Sequence, residues 1–326
     1  MAAAARGHAS DGQAVADDRP AEHGGEQQTA ERLEVAWHGT IAATRSAGWR
    51  RGRLTAVIPI HDVNPTRRFA WVTLALIVAN VAVFLLWQPT FRDGEAQQTF
   101  FYCNAEVPYE VSHQTSLAAG GAGARGALQA EYQLSPEEAA VFQEFLRERC
   151  PGKSWLLSVF VAMFLHGGWL HIAGNMLFLW VFGNNVEDRL GRPLFVVFYL
   201  LGGVAASALQ LAFDPSSAVP SLGASGAVAA VLGAYLVMFP RARVVTLVIF
   251  FFITALELPA VLVLGAWFVL QLFSGVGGLG AEVNGGVAYW AHVGGFVFGL
   301  GVAALFFRGR GQRPPLRRLP QRPDWF

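Results

Sequence analysis

Long apolar runs almost free of charge, set between short arginine-bearing segments, constrain this chain more than any other feature of its sequence. The first is Phe69–Trp87, about 19 residues, enough to cross a hydrocarbon core of roughly 30 Å at about 1.5 Å per residue. Five more follow in close order: Trp155–Phe182, Pro193–Phe213, Ser221–Phe239, Leu258–Phe273 and Val287–Phe307. A water-facing surface cannot be made from such runs, and composition agrees: 14% of the 326 residues are charged and 53% hydrophobic, against roughly 25% charged in a soluble domain. Mean hydropathy is +0.38. The expected fold class is an all-α polytopic membrane protein with six spans and the lipid bilayer as its partner. A net charge of +1 gives no support to nucleic-acid binding.

Residues 1–56 are polar and rich in Ala, Gly, Glu and Arg without a sustained apolar period, and read as a disordered N-terminal tail with no secretory signal pattern. The membrane domain is expected over 57–310, followed by a C-terminal tail, 311–326. Between the first two runs lies a polar outer segment, 88–154, of about 65 residues. It is too long for a bare connection and is expected to carry short structure of its own. His166, Gly167 and Gly168 interrupt the second run, so its first part is expected at the interface. The apolar stretch Val244–Ala255 is separated from the fifth run by Glu257 and Pro259, and is expected to lie at the interface or to re-enter.

Arginine and lysine placement gives the orientation. Arg50, Arg51, Arg53, Arg67, Arg68, Arg189, Arg192, Arg241, Arg243 and the tail arginines fall on one side, and Arg92, Arg125, Arg147, Arg149 and Lys153 on the other, about three to one. Both termini are then cytoplasmic, in a multi-pass protein of a cell membrane, and the Ala, Gly and Arg bias points to a GC-rich bacterial genome. Cys103 and Cys150 fall together in the outer segment, in an oxidising compartment, where a disulfide and two unpaired thiols are both open.

Polar groups inside a span are costly and mark interior cavities or function. The second run holds His166, His171 and Asn175; the fourth opens Ser221-Leu-Gly-Ala-Ser225-Gly226; the sixth contains Ala291-His292-Val-Gly-Gly295 and Gly299. With the N-terminus inside, even-numbered runs descend from the outer face, so His171, Ser225 and His292 share one depth. Serine needs a neighbouring base to become a nucleophile, and neutral imidazole is the usual one. His171 and Asn175, four apart on one helix face, could donate to an oxyanion, as could the Ser225 backbone N–H at a helix start. With no carboxylate in the spans to orient His292, the arrangement is a dyad. Gly295 and Gly299 form a small-residue step matched by Gly226, Ala230 and Gly233, and packing these faces together would bring Ser225 to His292.

These residues resemble the motifs of the rhomboid family of intramembrane serine proteases, in its bacterial type. Gly223-Ala-Ser225-Gly226 is similar to its nucleophile motif, Ala291-His292 with Gly295 and Gly299 to its histidine motif, and His166-Gly-Gly-Trp-Leu-His171-Ile-Ala-Gly-Asn175 to its second-span signature. Glu187-Asp-Arg189-Leu-Gly191 also resembles family members, over a likeness running from Pro59 to Phe307. The resemblance implies a six-helix rhomboid-like transmembrane bundle with Ser225 as nucleophile and His292 as general base and acid. His171 and Asn175 become oxyanion donors, His166 is structural, and Glu187 pairs with Arg189. Substrates would be single-span membrane proteins cut in or near their spans, and no cofactor is implied. Two departures stand out: Ala229 takes the place of a tyrosine that packs beneath the histidine in some bacterial members, and the outer segment lacks the Trp-Arg pair of many relatives.

The competing readings are weaker. His166 and His171 are five apart and no His-Glu-x-x-His motif is present, so no metal site is expected. A transporter would show repeated halves. A catalytically inactive rhomboid-like binding protein would have lost the serine or the histidine, and this chain keeps both.

Overall fold

The computed structural model describes residues 56–249, 253–277 and 288–307. The expected N-terminal tail up to residue 55 and the C-terminal tail lie outside them. Among the described residues, six apolar helical segments carry the fold. The first, α1 (Trp71–Ala82), continues as a π turn over Val83–Trp87. The second run is split at the His166-Gly-Gly break into α6 (Trp155–Ala162) and α7 (Trp169–Leu190). Then come α8 (Arg192–Phe213), α9 (Ser225–Met238), α10 (Ala260–Gly277) and α11 (Tyr289–Phe307). By length and composition α8 and α11 are able to cross a bilayer; Trp71–Trp87, Ser225–Met238 and Ala260–Val276 are apolar but shorter. The fourth helix starts at Ser225 rather than Ser221, because Gly223, at φ +130°, turns the chain immediately before it.

The all-α expectation needs correction. Three antiparallel strands, β1 (Ala56–Asp62), β2 (Arg243–Ile249) and β3 (Ile253–Pro259), form a sheet in that order. The stretch Val244–Ala255, expected at the interface or re-entrant, supplies the central strand and part of its neighbour. The β-branched residues Val244, Val245, Thr246, Val248 and Ile249 favour a pleated surface. Counting them only as apolar hides that preference. Pro59, which has no N–H to give, stands in an edge strand where the register shifts between Pro59 and His61. Asp62 anchors this strand to the helices: its buried carboxylate accepts from Asn185 Nδ2 on α7 and from the Tyr235 hydroxyl on α9, both at 2.6 Å.

Segment 88–154 holds four helices, α2 (Gly94–Asn104), α3 (Pro108–His113), α4 (Gly121–Tyr132) and α5 (Pro136–Arg149). Local chemistry starts them: Asp93 caps α2, and Ser135 with Glu138 forms a capping box on α5 with Pro136 in its first turn. Cys103 on α2 and Cys150 after α5 are joined by a disulfide across 47 positions of sequence. Lys153 Nζ bridges Glu110 at 2.6 Å, with both side chains almost fully buried.

The helices α9 and α11 pack backbone against backbone. A Cβ at Gly295 would overlap the Gly226 carbonyl, one at Gly299 the Ala230 carbonyl, and one at Gly233 the Phe296 carbonyl. These two backbones therefore touch through the small residues themselves.

Candidate active site

Three helix starts converge. Ser225 is the first residue of α9, so its N–H and those of the following turn have no intrahelical acceptor. His292 lies in the first turn of α11, and His171 in the first turn of α7, just past the break at Gly167 and Gly168. The glycine stripe holds α9 against α11 so that His292 Nε2 and Ser225 Oγ stand 2.8 Å apart.

The tautomers follow from the second ring nitrogens. His292 Nδ1 faces Gln271 Oε1 of α10 at 2.7 Å. An amide oxygen only accepts, so Nδ1 carries the proton and Nε2 is left to accept from serine. His171 is arranged the opposite way. The Gly167 N–H donates to its Nδ1 at 3.3 Å, so Nε2 is protonated and is the donor turned to the site. Gly223 keeps the ground between them clear: a Cβ there would lie 2.8 Å from His171 Nε2 and 3.5 Å from Ser225 Oγ. A substrate oxygen in that space would meet a ring N–H on one side and the Ser225 hydroxyl on the other.

Asn175 is buried one turn beyond His171, and its Nδ2 donates to the His171 carbonyl at 3.0 Å, leaving its second N–H. His166 is fully buried, its ring 5.1 Å from that of His171; its backbone N–H and C=O are both held by the Gln88 side-chain amide at 2.8 Å. Glu187, at the far end of α7, accepts from the backbone N–H groups of Val72 and Thr73 and from the Thr73 hydroxyl, and so caps α1 from another helix. The Arg189 guanidinium lies over the Phe307 ring at 5.5 Å.

Two glutamines that the Ser, His and Asn motifs do not single out also border the site. Gln271 holds His292, and Gln210 Oε1 accepts from the Ala291 N–H at 3.3 Å beside a Phe213–Trp290 ring stack at 3.7 Å. The signal was present: Gln271 is the one amide in the run Leu258–Phe273. Segment 88–154 also reaches the site. The Ser221 N–H donates to the Glu106 carbonyl at 2.6 Å, four residues before the candidate nucleophile, while the Glu106 carboxyl bonds the Ser207 hydroxyl of α8. Burial raises that carboxyl to about 7, against the opposing pull of Ser207 and Lys153.

Residues 153–309, which contain every group just described on α7, α9, α10 and α11, match the Rhomboid domain model. The chain carries a Rhomboid domain. It is 29% identical over 175 residues to Rhomboid protein 1, mitochondrial, of Saccharomyces cerevisiae, covering 52% of this chain and 47% of the yeast protein. RHOMBOID-like protein 6, mitochondrial, of Arabidopsis thaliana is 26% identical over 245 residues, covering 72% of this chain and 71% of that one. Rhomboid protease GluP of Bacillus subtilis is 40% identical over 85 residues, 26% of this chain and 16% of its own. The chain thus spans about half the length of the yeast rhomboid it matches. These rhomboids come from mitochondria as well as from a bacterium, so the domain implies a membrane protein but not the bacterial type, nor the bacterial cell membrane expected from composition.

Proposed function

We propose that this protein is an intramembrane serine endopeptidase whose six apolar helical segments cross the bilayer and which cuts single-span membrane proteins in or near their spans. The observation that carries the reading is the 2.8 Å approach of His292 Nε2 to Ser225 Oγ, two polar groups on separate apolar helices. Ser225 Oγ attacks the scissile carbonyl carbon while its proton passes to His292 Nε2. The carbonyl π pair moves onto oxygen, which lies between His171 Nε2–H, the second Asn175 N–H and the backbone N–H of Ser225. Collapse of this intermediate breaks the C–N bond, and the Nε2 proton goes to the leaving amine. Water then repeats the sequence on the acyl-enzyme and frees Ser225.

A transmembrane helix has its carbonyls already hydrogen-bonded, so substrates with Gly or Pro near the scissile bond, which unwind more readily, are the expected class. Cleavage of a single-span substrate in proteoliposomes tests this. Wild type should cut it, and Ser225→Ala and His292→Ala should each lower the rate by about 10³-fold or more. Undiminished cleavage by His292→Ala would remove the dyad from the mechanism.

A further inference from the structure

We infer that Gln271 is a positioning residue that completes a Ser225–His292–Gln271 hydrogen-bond chain; this rests on the protease reading above. Its helix, α10, presents two groups to the imidazole. Gln271 Oε1 stands 2.7 Å from His292 Nδ1. Trp267, one turn earlier, lies with its ring 5.8 Å from the imidazole and tilted by 36°. Phe268 stacks on Phe296 at 4.5 Å, one turn beyond His292, and fixes α10 against α11 at this level.

A base that takes a proton at Nε2 must carry one at Nδ1 and needs an acceptor for it. In water the solvent would serve; between apolar helices only a side chain or a carbonyl will do. Gln271 supplies one at each stage, because Nδ1–H persists when the imidazole becomes imidazolium. Among the described residues, the groups facing the imidazole are Ser225 from α9, Trp267 and Gln271 from α10 and, across the site, His171 from α7; none of these is a carboxylate. Ala229, fully buried on α9, brings no ring beneath the histidine, so orientation falls to α10. An amide in an otherwise apolar run is costly without a partner, and His292 is the partner this one has.

Gln271→Leu and Gln271→Glu test the inference against wild type and Ser225→Ala, measuring kcat and KM on a membrane-embedded substrate across pH. Gln271→Leu should lower kcat by about 10- to 100-fold with KM little changed, since the proton is no longer held at Nδ1. Gln271→Glu, of nearly the same shape, should remain active and lose activity on the acid side at a higher pH than wild type, because a carboxylate stabilises the imidazolium that cannot act as base. A glutamine that merely packs would leave the acid limb where it is. Wild-type kcat in Gln271→Leu, or an unmoved acid limb in folded Gln271→Glu, overturns the inference while a dead Ser225→Ala leaves the protease reading intact. Equal turnover by Ser225→Ala and wild type overturns both.

Discussion

At the scale of single residues, Gly223 is constrained twice over, by its backbone and by its neighbour. Its φ of +130° is a conformation that side chains disfavour, and a Cβ would press on His171 Nε2. Gly223→Ala should therefore lower kcat by about 10²-fold or more by filling the oxygen's place, with the thermal unfolding midpoint moved far less than the rate. A loss of stability that fully accounts for the loss of rate would show that Gly223 serves only the turn. Ser225, His292 and His171 were legible in the sequence because each is a polar group in an apolar run. Gln271 obeys the same rule, but an amide does not announce chemistry as an imidazole does. The capping of α1 by Glu187 joins residues more than a hundred positions apart, and no spacing in the sequence reports it.

At the scale of elements, segment 88–154 and the sheet differ in how they could be read. The helices α2 and α5 begin at local signals, Asp93 and the Ser135–Glu138 box, that the sequence displays openly. The sheet depends on pairing β1 with β2 across some 190 positions, and an apolar run of this length does not say by itself whether it will pleat or coil. Segment 88–154 carries a further expectation. Glu106 joins it to the Ser221 loop and to α8, and burial raises its carboxyl from 4.5 to about 7. Between those values the native chain keeps a proton that the unfolded chain releases, so this contribution is present below about 4.5 and fades as the pH climbs through 7. The unfolding midpoint should fall from pH 5 to pH 7.5 in wild type, and Glu106→Gln, neutral throughout, should flatten that fall. An identical slope in both proteins would detach Glu106 from it.

At the scale of the whole molecule, the small-residue stripe converts sequence spacing into chemistry. Gly226, Ala230 and Gly233 against Gly295 and Gly299 bring two backbones into contact, and that approach delivers Ser225 to His292. The Rhomboid domain implies a membrane protein, and α8 and α11 are long and apolar enough to cross a bilayer. The claim on which the rest depends is that Ser225 is a nucleophile made reactive by His292. Treatment of the purified, membrane-reconstituted protein with a fluorophosphonate, followed by peptide mass spectrometry, measures it directly. The expected result is a single phosphonyl adduct on Ser225, none on Ser225→Ala, and labelling slowed by about 10²-fold or more in His292→Ala. An adduct on another residue, or labelling of His292→Ala at the wild-type rate, would contradict it.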